Sequence, residues 1–168
     1  MSVSASTILE HLDYSSWASR RLVDAVSQLS PEDLTRDFAT ADRSILGTLV
    51  HIYAADRAWI GRIEGAPPDT FVDPAIDMHL SVLQNDWPVV QQRWHTMAAN
   101  LDDNAVQTVV SYTDTKGNPY KNTIQQIVLH VVNHATHHRG QVSGFLRTMG
   151  HRPPVLDLMK YYREHPSA

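Results

Sequence analysis

The sequence predicts an all-α protein, a four-helix bundle with a small β-hairpin before the fourth helix. Three observations carry that expectation. Four long stretches repeat apolar residues at helical spacing. Capping residues, glycine or proline end the first and bound the second and fourth. The period switches to alternation only once, between the third and fourth stretches. With 168 residues, the chain is long enough for a sizeable core and reads as a single domain over 1–168.

Residues 5–29 read as the first long helix. Ile8, Leu12, Leu22, Ala25, Val26 and Leu29 recur at helical spacing with no internal Pro or Gly. Ser30-Pro31-Glu32-Asp33 combines an N-cap serine, proline at the first helical position and an acidic first turn, so a short helical turn follows. The second long helix starts between Asp42 and Ser44 and runs to Glu64, with Ile45, Leu49, Ile52, Trp59, Ile60 and Ile63 as its stripe. Asp56 also enters that stripe. Gly65 and Pro67-Pro68 end it, and residues 66–76 read as loop.

The third long helix covers about 77–101. Leu80, Leu83, Trp87, Val90, Trp94 and Met97 face inward, and Pro88 is expected to kink or restart it. Val106 to Thr113 is β-branched and roughly alternating, Lys116 to Pro119 is a turn signal, and Tyr120 to Asn122 follows, which together predict a hairpin. Asn122 or Thr123 caps the fourth long helix, which runs to about Met149 before Gly150. After Pro153-Pro154 the tail predicts a short last helix. The four tryptophans, Trp17, Trp59, Trp87 and Trp94, sit at helical core spacing and read as packing residues. Tyr53 and Tyr161 are candidates to reach a pocket.

Composition narrows the function classes. The apolar fraction is 42% and the formal charge −4, with no Lys/Arg run, so nucleic acid is a poor partner. No cysteine is present, which excludes an internal disulfide, thiol nucleophile or thiolate ligand. The N-terminus lacks the charged start and apolar core of a signal peptide, and no run approaches a membrane span. The expectation is a cytoplasmic enzyme or binding protein with no membrane partner.

The chemistry concentrates in HVVNHATHHRGQ. Four of the ten histidines, His130, His134, His137 and His138, fall within nine residues. At about 100° per residue, His134 and His138 lie inside the apolar arc of the fourth helix. His130 lies at its edge, His137 points further out and Asn133 lies nearly opposite. Two imidazoles four apart on a helix are a standard way to aim nitrogens at one divalent ion. Core histidines bonded to backbone or water, or a solvated polar stripe, fit the same spacing. A mononuclear site needs a third ligand. His51 is a candidate, although it lies off the main stripe of its helix, on a face with Gly47, Thr48, Ala55 and Ala58.

Three segments resemble the DinB/YfiT-like superfamily. NHATHHRGQ (133–141) matches the pattern of His, three residues, then His-Arg-Gly-Gln. SILGTLVHIYAADRAWIGRI (44–63) places a histidine eight residues before a tryptophan. YSSWASRRL (14–22) is similar to a Tyr-x-x-Trp-Ala-Asn start, with Ser19 where Asn is usual. The hairpin and the Pro-Pro…Asp157…Tyr161 tail also fit. The resemblance implies a bundle in up-down-down-up order, a homodimer, and metal ligands at His51, His134 and His138. His130 and His137 match no ligand position; His137 is expected to support the site from outside or to be exposed. Asn133 and Arg139 are expected beside the ligands or in surface pairs, and Gln141 in packing or lining a pocket.

An open three-histidine site reads as catalytic, since closed structural zinc sites normally carry four protein ligands. Zinc, nickel and iron all suit imidazole. His134 is followed by Ala135, so the zinc-protease H-E-x-x-H pattern is absent. A ferritin-like di-iron site also lacks its Glu-x-x-His pairs. The resemblance instead implies a transferase or isomerase acting on a small electrophilic substrate with a low-molecular-weight thiol, such as bacillithiol, mycothiol or glutathione. A non-catalytic, stress-related dimeric bundle that binds metal or a small ligand is the alternative, and a purely structural dimer the third.

Overall fold

Short polar side chains start three of the four long helices. In the computed structural model, which describes residues 3–114 and 116–166, Ser4 opens α1 (Ala5–Val26) by accepting from the Thr7 amide. Ser44 opens α3 (Ile45–Glu64) in the same way, and Gly65 closes it at φ 75°, a backbone region that a side chain disfavours. Thr123 and Gln126 form a reciprocal capping box ahead of α6 (Ile124–Thr148). The remaining long helix, α5 (Leu80–Ala99), carries Pro88 and continues through it as one helical run. Proline therefore does not restart the third helix.

Smaller elements join these four. α2 (Pro31–Thr35) is the predicted turn behind Ser30. α4 (Pro74–Asp77) is a single turn at the end of the predicted loop, capped by Asp73. Strands β1 (Val109–Thr113) and β2 (Pro119–Thr123) pair antiparallel, with Tyr112 opposite Tyr120. α7 (Leu158–Glu164) closes the described chain.

Three boundaries differ from expectation. α1 stops at Val26, and the Ser27 hydroxyl donates to the Asp24 carbonyl, so Leu29 lies in a turn rather than in helix. The third helix starts at Leu80, because residues 74–77 form their own turn. Residues 105–107 form a 3₁₀ turn, so the first strand begins at Val109.

Side-chain contacts fix the helix directions. Val3 donates to the Gln125 side chain and Arg139 reaches Ser15 and Ser19, so α1 and α6 run parallel. Trp59 meets His130 while His51 meets His138, which makes α3 antiparallel to α6. Trp87 bonds Asp56 and Arg93 reaches Glu64, making α3 and α5 parallel. The resulting order is up-down-down-up. The core joins Ile8, Leu22, Ile45, Leu49, Ile52, Trp87, Ile127 and Leu146, all essentially buried. No described helix is long and apolar enough to cross a membrane.

Candidate metal centre

The antiparallel pairing of α3 and α6 brings His51 against the histidine pair one turn apart on α6. The ring centroids of His51 and His134 are 4.9 Å apart, those of His51 and His138 4.6 Å, and those of His134 and His138 4.5 Å. One nitrogen from each ring lies within 4.8 Å of the other two. The tightest approach is His51 Nε2 to His134 Nε2, at 2.9 Å. Two imidazole nitrogens at that distance need a proton or a cation between them. Bonds of about 2.0–2.1 Å to one ion would hold ligand nitrogens about 3.0–3.4 Å apart, close to the observed pair.

The far sides of two rings are held by groups the sequence did not single out for this role. His138 Nδ1 lies 2.7 Å from Gln141 Oε1, a carbonyl oxygen that can only accept. The proton therefore sits on Nδ1, and the Nε2 lone pair remains for an electrophile. The Asp42 carboxylate lies between two rings, with Oδ1 3.5 Å from His51 Nδ1 and Oδ2 3.6 Å from His138 Nδ1. A carboxylate behind a ligating imidazole orients it and raises its basicity.

The loop that presents Asp42 is unusual. Ala39 and Arg43 adopt positive φ of 55° and 62° without being glycine. The Asp42 carbonyl presses onto Gly47, where a Cβ would stand 2.1 Å from the carbonyl oxygen. Gly47 thus admits the Asp42 backbone to the first turn of α3.

A second loop walls the site. Phe71 packs its ring 5.6 Å from His51. Arg57 holds that loop: its guanidinium donates to both oxygens of buried Asp77, at 3.0 Å each, and to the Phe71 carbonyl. On the opposite flank His130 lies 5.7 Å from the His134 ring and 5.3 Å from Trp59.

Burial lowers the proton affinity of several of these rings. Burial, with the neighbouring histidines, pushes the His134 pKa down to about 4. Burial also lowers His51, against an upward pull from Asp42. His130 is lowered by burial and by Arg62. Neutral imidazole is the form that ligates a metal, so the donor set suits a divalent cation.

The comparisons with known proteins agree with this architecture. Residues 1–166 match the model of the DinB family. The chain belongs to the DinB family. Protein DinB of Bacillus subtilis is 20% identical over 156 residues, covering 89% of this chain and 90% of that protein. The crystal structure of a DinB-like protein from Bacillus cereus superposes with a TM-score of 0.71 at 18% identity, covering 92% of this chain and 99% of that one. At that identity the likeness establishes the fold.

In this DinB-family chain the other predicted residues separate clearly. His137 is exposed, although its ring lies 5.0 Å from that of His138, and Asn133 is exposed. Arg139 is neither beside the rings as a support nor in a surface pair. It is 2% exposed and donates to the Ser15 carbonyl and hydroxyl, to Ser19 Oγ and to Thr136 Oγ1. Asp56 is buried too, accepting from Trp87 Nε1 at 2.8 Å, while its carbonyl accepts from Trp94 Nε1. Trp17, Trp87 and Trp94 are packing residues as expected, but Trp59 is only partly buried and flanks the site. Tyr161 packs on Tyr14 and Trp17. Tyr53 is buried, with its hydroxyl accepting from Arg57.

Proposed function

We propose that this chain binds one divalent metal ion, zinc, nickel or iron, through His51, His134 and His138. In this reading it is a metal-dependent enzyme, a transferase or isomerase, that brings a low-molecular-weight thiol to a small electrophilic substrate. The observation that carries the proposal is the convergence of three imidazoles, with the Nδ1 side of His138 bonded to Gln141 and Asp42 behind both His51 and His138. A divalent ion bound there supplies Lewis-acid chemistry, lowering the pKa of a thiol or water at its open position.

The chain's own residues supply the rest. His51, His134 and His138 offer lone pairs, and Asp42 and Gln141 keep two of those rings turned. Phe71, anchored through Arg57 and Asp77, covers one side of the His51 ring. No cysteine exists in the chain, so a thiol nucleophile has to arrive with the cosubstrate. The reading includes a single cytoplasmic domain working as a homodimer, supported by the family resemblance.

The test begins with untagged protein prepared without a metal column and analysed for elements. Stoichiometric metal that disappears in His134→Ala, with turnover of a generic electrophile only when a thiol is added, supports the proposal. Full turnover in thiol-free buffer would make the protein a hydrolase. Metal without turnover would leave a binding protein, and absence of metal a structural bundle.

A further inference from the structure

Arg62 stands apart among the arginines of the fold. Arg21, Arg57, Arg93 and Arg139, the other arginines that are at least partly buried, all donate to an oxygen acceptor. The Arg62 guanidinium instead lies 4.4 Å over the Trp59 ring and 5.0 Å from the Tyr112 ring, and it makes no hydrogen bond or ion pair among the described residues. Stacking occupies the faces of a guanidinium and leaves its in-plane N–H donors free. Burial lowers the Arg62 pKa, with Tyr112 and Asp114 pulling it back. The Asp114 carboxylate itself is engaged by Asn118 and by the Lys116 amide.

The guanidinium opens onto a cavity of about 680 Å³ between the end of α3 and the hairpin, lined also by Pro67, Tyr112, Tyr120 and Lys121. That volume suits a small organic ligand. Two cations and two tyrosines meet there in a chain of net charge −4. Trp59 and His130 link the cavity to the histidine triad through ring contacts of 5.3 and 5.7 Å. Arg62 follows His51 by eleven residues on α3, about 16 Å of helix rise, and its side chain reaches back over Trp59, three residues nearer the triad.

We propose that this cavity takes the carboxylate end of the small molecule whose other end reaches the histidine site, with Arg62 as its anchor. The ligand class is an extended organic carboxylate, with its middle against Trp59 and Tyr112. The inference deepens the proposed function and rests on it for the far end of the ligand only.

The test separates the two ends. S-methylglutathione, which has both carboxylates and no free thiol, is titrated into zinc-loaded protein while the Trp59 indole N–H is followed by NMR. Binding is expected to shift that resonance. It is expected to be about tenfold tighter than for the diethyl ester, as loss of a charge-assisted contact dictates. Arg62→Met should bind acid and ester alike, and Arg62→Lys should recover only part of the preference. The ester comparison on the unaltered chain needs no variant to fold. Equal binding of acid and ester, a perturbation remote from Trp59, or no binding overturns the inference. Glutathione binding no tighter than S-methylglutathione would remove the thiol from the proposed function and leave the carboxylate site standing.

Discussion

His138 and Arg139 are consecutive residues of α6, yet they belong to opposite kinds of polar site. Arg139 faces α1 and is satisfied from within by Ser15, Ser19 and Thr136. His138 faces α3, where its outer nitrogen is held by Gln141 and its inner one points at two more imidazoles. One site is closed and complete. The other needs something the chain does not contain. A turn of about 100° on one helix separates a group that holds the bundle together from one that gives it chemistry.

The largest effect expected from breaking this contrast is on stability. Arg139→Met should lower unfolding free energy by about 2–4 kcal/mol, because it strands buried serine groups that now have a charged donor. His134→Ala, without metal, should cost much less, since it removes a half-buried imidazole whose one hydrogen-bond partner is another histidine at the edge of the core. Urea unfolding of both variants in chelator checks the ranking. A larger loss for His134→Ala would mean the triad, and not Arg139, organises the bundle.

Metal affinity should show the reverse order. His134→Ala and His138→Ala should each weaken zinc binding by at least about 100-fold, as loss of one of three ligands implies. His137→Ala should leave it within about twofold, because that ring is exposed and outside the triad. A competition titration with a chromogenic chelator reads all three. Comparable losses for His137→Ala and His138→Ala would place the ligands differently from the geometry described.

A smaller effect should come from the support behind the rings. Asp42→Asn should weaken zinc binding by about 10- to 100-fold, the usual range for an outer carboxylate. Gly47→Ala should act in the same direction without touching a charge, by pushing the Asp42 backbone out of the turn. If Gly47→Ala weakens zinc binding while Asp42→Asn does not, the loop matters as packing and not through its carboxylate.

The two sites also differ in how far the sequence reveals them. The four helices were legible because apolar spacing recurs over each, with caps and a terminal glycine agreeing for α3 and α6. His134 and His138 were legible as a pair because both fall on the buried arc of one helix. His51 was not, since its own helix places it off the apolar stripe; only the family resemblance connected it, and the antiparallel packing of α3 on α6 explains why. Asp42 stayed hidden because its role depends on Ala39 and Arg43 at positive φ, which non-glycine residues rarely announce. Arg139 was misread because arginine is seldom fully buried. The signal was Ser15 and Ser19, four apart on the first helix, which supply its acceptors.

The smallest expected effect is on the pH dependence of stability, and there the two sites pull in opposite directions. In metal-free protein His134 has its pKa lowered from 6.5 to about 4. The unfolded chain therefore takes up that proton first, and stability falls as pH drops from about 6.5 toward 4. Asp56, buried beside Trp87, has its pKa raised from 3.8 to about 7, mainly by burial, with Arg139 and the Trp87 hydrogen bond pulling it down. Here the folded chain holds the proton more tightly, so the contribution is full below about 3.8 and is lost as pH rises through 7. Between pH 4 and 6.5 the two slopes oppose each other, and the net profile should be flatter than either alone. His134→Ala should remove the stabilising rise with pH and leave a profile that falls toward neutrality. Asp56→Asn should do the opposite, leaving stability that climbs with pH across the same window. Urea midpoints at pH 4.5, 5.5, 6.5 and 7.5 in chelator measure both. Parallel profiles for the two variants would mean that neither group titrates as its surroundings dictate. Zinc should steepen the rise of the unaltered protein above pH 5, because protons and the ion compete for the same three nitrogens, and this added slope should be absent from His134→Ala and retained in Asp56→Asn.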